Sequence, residues 1–250
     1  MKHLLIVGRP GIGKTTLIKQ LAQDLRGGPI DGFYTEELRE DGERLGFWLS
    51  SLDGRQALLA HRRAINSPHR VGPYHVNLSV MDHLGVAVLK RAMRQALLVF
   101  IDELGEMELG SHAFQEAVEE AVVRGPRVIA TAGLAPIPFV EGLKRRKDVE
   151  LVPLSPNTRE AVFEELRLRL QALCDEDEHV RELQRQADRI CEMIVTEEAS
   201  PVDVEIQQAK LREAVARLFP DKLNLFPLLY ESRFRRLWQQ FREGQRWEGA

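Results

Sequence analysis

Cysteine is scarce in this sequence, and its scarcity excludes two classes of protein. The 250 residues contain only two cysteines, Cys174 and Cys191. A disulfide scaffold needs several pairs and a structural zinc site needs clustered ligands, so neither class fits. We expect both thiols to be free, as is usual in a reducing cytosol.

An excess of charge of one sign is also missing, as is any long hydrophobic run. Lysine and arginine together number 35 against 38 acidic residues, which leaves a net charge of −3. A balanced chain has no overall field to attract nucleic acid or an acidic membrane, so neither is an expected partner. No apolar run approaches the roughly 20 residues that cross a bilayer. Because a short apolar strand pattern leads directly into the first motif, we expect no signal peptide. We expect a cytoplasmic protein.

The first motif follows the apolar run at residues 4–7. The spacing G-x-x-x-x-G-K-T extends from Gly8 to Thr15, and a helical pattern comes directly after it. A strand, a glycine loop and a helix in this order form a phosphate-binding loop (P-loop, or Walker A motif), because the glycines turn backbone N–H groups inward and the helix directs the positive end of its dipole to the same point. The predicted phosphate site comprises Gly8, Arg9, Pro10, Gly11, Ile12, Gly13, Lys14, Thr15 and Thr16.

Three side chains of this loop have expected roles toward a bound polyphosphate. The ammonium group of Lys14 is expected against the outer phosphates, where it would take part in catalysis. The hydroxyl group of Thr15 is an expected ligand of a Mg²⁺ ion that bridges those phosphates, and Thr16 is expected beside the inner ones.

Apolar strands and amphipathic helices alternate over the first two thirds of the chain. A turn at residues 40–43 separates two strand patterns, so an antiparallel hairpin is predicted there. The alternation predicts an α/β fold with a mostly parallel sheet covered by helices. The predicted strands lie at residues 32–38, 45–49, 57–60, 74–78, 96–101, 127–131 and 150–154, and the helices between them at residues 80–95, 111–123 and 139–146.

Two acidic residues end the apolar strand at residues 96–101. Such an unbroken run is typical of a strand buried on both faces of a parallel sheet, and ligands bind at the carboxyl ends of those strands. We expect Asp102 to be the second magnesium anchor, through a water molecule, and Glu103 to polarise the water that attacks the γ-phosphate.

After Asn157 the pattern becomes purely helical. One helix is predicted from Val162 to Leu170 and another from Val180 to Ile194, with two more at residues 204–218 and 222–241 before a short tail. We therefore divide the chain into a P-loop domain at residues 1–165 and a helical extension at residues 166–250. The basic and aromatic residues 233–238 are interpreted as the packed face of a helix with its charged side in water, and a contact with nucleic acid or a membrane surface is the alternative.

Several segments in fixed order resemble the small nucleoside-triphosphatase family first described from thermophiles, which includes the cancer-related nucleoside-triphosphatases. They are GFYTEE at residues 32–37, Gly46-Phe47, VGxYxVN at residues 71–77 and DELGEMEL at residues 102–109, all after the glycine loop. The resemblance covers about residues 1–165. It implies a RecA-like or AAA-like P-loop core and slow, magnesium-dependent hydrolysis of ATP, GTP and other nucleoside triphosphates. It also implies that Glu106 and Glu108 are acids near the site.

The sequence departs from the family where a charge-stabilising arginine is expected. Thr131 is followed by Ala132 and Gly133 instead of a basic pair. The candidates for this arginine are Arg127, Arg145, Arg146 and Arg159, and a neighbouring subunit could also supply it.

Two other functions stay open at this stage. A nucleoside or nucleotide kinase would share the loop and could use the basic residues 144–147 as part of a closing lid. A nucleotide-dependent binding switch would couple nucleotide occupancy to a second copy or a protein partner through the C-terminal helices.

Overall fold

The computed structural model describes residues 2–196 and 198–242. The chain divides into two compact units, Met1–Cys174 and Asp175–Ala250. The strands of the first unit are β1 (His3–Val7), β2 (Ile30–Glu40), β3 (Glu43–Ser51), β4 (Gln56–His61), β5 (Arg70–Val71), β6 (Tyr74–Val76), β7 (Leu98–Asp102), β8 (Arg127–Ala132) and β9 (Val149–Pro153). The helices are α1 (Lys14–Asp24), α2 (Leu78–Val80), α3 (Val86–Gln95), α4 (His112–Arg124), α5 (Pro138–Lys144), α6 (Arg159–Thr196), α7 (Pro201–Leu218) and α8 (Ser232–Phe241).

All nine strands form one sheet in the order β5-β6-β4-β3-β2-β7-β8-β1-β9. The pairs β2–β7, β7–β8, β8–β1 and β1–β9 are parallel, as the alternating pattern predicts. The predicted hairpin, β2 with β3, is confirmed. Further antiparallel pairing continues from it through β4, β6 and β5. Because β8 lies between β1 and β7, the glycine loop and the acidic strand end are two strands apart.

The central parallel strands β1, β7 and β8 are buried on both faces, and alternate side chains enter two different hydrophobic clusters. In β7, Val99 and Ile101 belong to the cluster that contains residues of α3 and α4. Leu98 and Phe100 point the other way, into the cluster that contains residues of α1 and the first part of α6. This alternation follows from the two-residue period of a strand. The parallel pairing places the carboxyl ends of β1, β8 and β7 at one edge of the sheet.

The helix predicted at residues 80–95 is present with one irregularity. A π-helical segment, Met81–Gly85, joins α2 to α3. The predicted helix at residues 111–123 is α4, and the hydroxyl group of Ser111 caps it by accepting a hydrogen bond from the backbone N–H of Phe114 at 3.0 Å.

The prediction of two separate helices between Val162 and Ile194 is wrong. A single helix of 38 residues, α6, covers this range. Residues 171–179 contain no glycine or proline, and the ion pair of Asp177 with Arg181 at 2.6 Å supports the helix across this stretch. Local sequence therefore offers no signal that would end the helix there.

The second unit has a hydrophobic cluster of its own. It contains Leu183, Ile190 and Ile194 from α6, together with Phe234 and Trp238 from α8. Val180, the first residue of the helix predicted from Val180 to Ile194, is instead 39% exposed. Since Phe234 and Trp238 are buried while the neighbouring arginines are exposed, the interpretation of residues 233–238 as a packed helix face is confirmed.

Two short helical segments join the last two helices of this unit. A 3₁₀ helix, Pro220–Leu225, and a π-helical segment, Pro227–Glu231, connect α7 to α8. A capping box of Ser200 with Asp203 begins α7. The end of the predicted tail, residues 243–250, lies outside the described residues.

Candidate functional site

The glycine loop begins where β1 ends and closes into the first turn of α1. Gly11 and Gly13 have φ angles of +75° and +98°, which only glycine adopts without strain. No side chain caps the first turn of α1, so its backbone N–H groups are available to a ligand. Gly8 packs against Leu154, because a Cβ atom there would lie 3.0 Å from the Leu154 carbonyl oxygen. The loop therefore has the backbone geometry of an anion site.

Lys14 is the buried cation of this loop, with only 6% of its side chain exposed. Its Nζ atom donates to the carbonyl oxygens of Gly8 at 3.3 Å and Arg9 at 3.5 Å. The same atom lies 3.2 Å from Oε2 of Glu103. The loop lysine and the glutamate after β7, which are 89 positions apart in the chain, therefore form one ion pair.

Asp102 is completely buried at the end of β7. Its Oδ1 atom accepts a hydrogen bond from the Thr131 hydroxyl group at 2.5 Å, whereas Oδ2 has no hydrogen-bond partner in the described part of the chain. Burial raises the pKa of Asp102, and the hydroxyl groups of Thr131 and Thr15 oppose that shift. The side chain thus has one oxygen fixed by β8 and one oxygen free for a further ligand.

The residues expected to hold Mg²⁺ fit the ion on these observations. Thr15 lies close enough to Asp102 for its hydroxyl group to affect the pKa of that carboxyl group. The unpartnered Oδ2 of Asp102 is a hard oxygen donor of the kind that Mg²⁺ prefers, and nucleotide-bound Mg²⁺ needs only one or two protein ligands. Among the described residues, no cluster of three or more histidine, cysteine, aspartate or glutamate side chains is arranged to bind a metal.

The acidic loop after β7 turns back on itself over Gly105. The backbone N–H of Leu104 donates to the Thr131 carbonyl oxygen at 2.8 Å, and that of Leu109 donates to the Gly105 carbonyl oxygen at 2.9 Å. Both leucines are buried, so they anchor the loop in the core. Of the two further acids that the resemblance places near the site, Glu106 is exposed and Glu108 is only 4% exposed.

One of the four candidate arginines lies beside the glycine loop. A Cβ atom on Gly13 would lie 3.0 Å from a guanidinium nitrogen of Arg159, at the start of α6. Arg127 begins β8, and the segment with Arg145 and Arg146 precedes β9, whose first residue Val149 pairs with His3. Those three arginines therefore lie toward the amino edge of the sheet, away from the loop, and so do the basic residues 144–147.

Thr131 is the residue of this site that the sequence interpretation did not assign. A threonine at the end of a predicted buried strand was the available signal. The sequence does not reveal the strand order. Thr131 reaches Asp102 because β8 lies between β1 and β7.

Both cysteines are buried and carry thiol groups, as expected. In the part of the chain that the structure describes, no helix has the length and apolar character that a membrane span requires.

A P-loop at the end of β1, an acidic strand end two strands away and an inserted strand between them define the P-loop NTPase fold. A family model described as NTPase matches residues 3–167, about two thirds of the chain. The chain belongs to this NTPase family.

Curated relatives and solved structures agree with this assignment. The chain is 46% identical over 163 residues to nucleoside-triphosphatase THEP1 of Thermotoga sp. (strain RQ2), covering 65% of this chain and 92% of the relative. It is 35% identical over 175 residues to the human cancer-related nucleoside-triphosphatase, covering 63% of this chain and 90% of the relative. The crystal structure of THEP1 from Aquifex aeolicus aligns with a TM-score of 0.60 at 32% identity, over 66% of this chain and 96% of that one.

Proposed function

We propose that this protein hydrolyses nucleoside triphosphates, ATP and GTP among them, to the diphosphate and phosphate, with Mg²⁺ as cofactor. One observation carries the proposal: Lys14, Asp102 and Glu103 meet at the carboxyl edge of the sheet beside the glycine loop. The relatives' names, which describe nucleoside-triphosphatases, support the same reaction. A cytoplasmic location is part of the proposal.

Binding uses the loop and its lysine. The backbone N–H groups of the loop and of the first turn of α1 surround the phosphates. Lys14 exchanges its contact with Glu103 for the outer phosphate oxygens, and this exchange releases the Glu103 carboxylate.

Thr15 and Asp102 are the residues that would hold Mg²⁺, Asp102 through a water molecule. When bound, the ion would neutralise negative charge on the triphosphate. The hydrogen bond from Thr131 keeps the Asp102 carboxylate oriented toward it.

Glu103 acts on the attacking water. Its carboxylate accepts a proton from the water as the oxygen bonds to the γ-phosphorus, while the bond from that phosphorus to the β,γ-bridging oxygen breaks. The electron pair of the broken bond stays on the diphosphate. Lys14 and the nearby Arg159 stabilise the charge that develops.

The same residues support a proposal of slow turnover and broad base specificity. Arg159 is exposed, so its guanidinium group is not held in one position as a buried arginine would be. All the residues assigned here act on phosphates, metal or water, and none of them is assigned to the base. We therefore propose little preference among the bases and slow hydrolysis, as in unassisted P-loop GTPases.

The direct test is phosphate release from a panel of nucleoside triphosphates, with Mg²⁺ and with EDTA, by the unaltered protein and by Lys14→Ala. The proposal predicts release from several triphosphates, dependence on Mg²⁺, and a loss of at least about a hundredfold in the variant. Tight nucleotide binding without release would contradict it. Release that appears only with a phosphoryl acceptor would instead favour a kinase, and release only with a protein partner would favour a switch.

A further inference from the structure

Two carboxyl groups of the acidic loop face each other across Gly105. A Cβ atom on this glycine would lie 2.8 Å from Oε2 of Glu108 and 3.3 Å from Oε1 of Glu103, so the two oxygens are no more than about 6 Å apart. Glycine is thus needed at position 105 for the two acids to approach. Glu103 has its other oxygen on Lys14, whereas no function has been assigned to Glu108.

Glu108 is buried without a cation. Its residue is 4% exposed, and among the described residues it forms no ion pair. The charged groups that act on it are Glu103 and Asp102, both acidic, while Lys14 lies on the far side of Glu103. In the π-helical segment, Asp82 accepts a hydrogen bond at 2.5 Å from the hydroxyl group of Ser111, which follows the acidic loop.

A buried carboxyl group in such surroundings favours the neutral form. Burial and the nearby charge of Glu103 raise the pKa of Glu108 to about 8, although backbone N–H groups of the loop oppose the shift. Near neutral pH the group is therefore a hydrogen-bond donor rather than a second negative charge.

We propose that Glu108 is a positioning residue for Glu103, a buried neutral acid that takes over as its hydrogen-bond donor when Lys14 turns to the phosphates. The inference rests on the proposed function. Among the described residues, Lys14 is the cation that contacts Glu103, and triphosphate binding removes it. The Glu103 carboxylate must then stay oriented toward water beside a highly negative substrate. A neutral Glu108 restrains the Glu103 side chain by donating a hydrogen bond to its carboxylate. An ionised Glu108 would instead repel both Glu103 and the γ-phosphate.

Glu108→Gln keeps a neutral donor of nearly the same shape, and Glu108→Ala removes it. Glu106→Gln is the matched control, because Glu106 lies in the same loop and is exposed. We would measure kcat and KM for all four proteins between about pH 6 and pH 9.5, a range that brackets the ionisation of Glu108. Circular dichroism verifies that each variant is folded.

The proposal predicts that kcat of the unaltered protein falls above about pH 8, and that Glu108→Gln keeps its neutral-pH kcat within about threefold and loses this alkaline fall. Glu108→Ala should lower kcat at least about tenfold while KM changes less than about twofold. An alkaline fall that persists in Glu108→Gln, or equal losses in both variants, would overturn the positioning role. If Glu108→Ala does not fold, the pH profile of Glu108→Gln decides alone.

A second measurement separates this inference from the proposed function. The infrared difference spectrum between the unaltered protein and Glu108→Gln near pH 7 should contain the carbonyl band of a protonated carboxylic acid. Absence of that band overturns the inference even when phosphate release is normal. If the band is present but neither the unaltered protein nor Glu106→Gln releases phosphate, the proposed function is wrong. The positioning role, which rests on that function, is then wrong as well.

Discussion

The Nζ atom of Lys14 lies 3.2 Å from Oε2 of Glu103, so the cation of the glycine loop is held against the carboxylate assigned to the attacking water. A bound triphosphate competes with Glu103 for that cation. Phosphate binding and release of the glutamate are therefore one exchange in this account. Because of this exchange, the buried lysine always has a negatively charged partner. An unpaired buried charge would lower the stability of the protein.

The first prediction concerns the hydrogen bond between Thr131 and Asp102. Thr131→Val keeps the shape of the side chain but removes the donor to Oδ1 of Asp102. Loss of a residue that orients a metal ligand commonly costs about 10- to 100-fold in metal affinity or activity. We expect kcat to fall within this range and the Mg²⁺ concentration for half-maximal activity to rise. Thr131→Ser, which retains the hydroxyl group, should stay near the unaltered protein in a Mg²⁺ titration.

The second prediction distinguishes the candidate arginines. Arg159→Ala should lower kcat by about 10- to 1,000-fold with a smaller effect on nucleotide binding, because the guanidinium group beside Gly13 acts on charge that develops in the transition state. Arg145→Ala is the control, since that exposed residue lies toward the opposite edge of the sheet. Equal kcat values for the two variants would exclude Arg159 from the reaction.

The same pair of variants tests whether a neighbouring subunit completes the site. If Arg159 acts within its own chain, specific activity should be unchanged on dilution. A loss of activity on dilution, together with normal activity in Arg159→Ala, would indicate that a second copy supplies the arginine.

The third prediction is a pH dependence of stability that Glu108 causes. Its pKa rises from an ordinary 4.5 to about 8 in the folded protein. Between those pH values the folded state retains a proton that the unfolded state has lost, so the free energy of unfolding falls as pH rises and levels off above about pH 8. Urea denaturation of the unaltered protein and of Glu108→Gln between pH 5 and about pH 9 should show a smaller decline in the variant. Parallel curves would mean that Glu108 does not hold this proton.

The fourth prediction concerns the second unit. Phe234 is fully buried in the cluster formed by α6, α7 and α8, so Phe234→Ala should cost about 3–5 kcal/mol of stability in that unit. Leu228→Ala is the control, because Leu228 is 71% exposed and its truncation should change little. Thermal unfolding followed by circular dichroism measures both.

Much of the first unit could be predicted from sequence because its signals are local. The glycine spacing, the apolar strand before Asp102 and the turn at residues 40–43 each predict one element, and all three elements are present. The short strand β6 lies within the strand predicted at residues 74–78. The strand β5 was not predictable in this way, because a two-residue strand has no periodicity to read.

The rest of the site depends on contacts between residues distant in sequence. Glu106 and Glu108 look alike in the sequence, and only the anchoring of the loop by Leu104 and Leu109 buries one and exposes the other. Thr131 likewise gains its role from the strand order. The continuous helix α6 was predicted incorrectly for a different reason. Its sequence predicts two helices, although no glycine or proline separates them.

The role of Glu103 toward the attacking water can be measured by single-turnover phosphate release. Phosphate release from limiting radiolabelled ATP with Mg²⁺ and excess protein would be compared for the unaltered chain, Glu103→Gln and the exposed control Glu106→Gln. We expect Glu103→Gln to bind ATP but to release phosphate at least about a hundredfold more slowly, while the control keeps its rate. Release by Glu103→Gln at the unaltered rate would show that Glu103 does not act on the water.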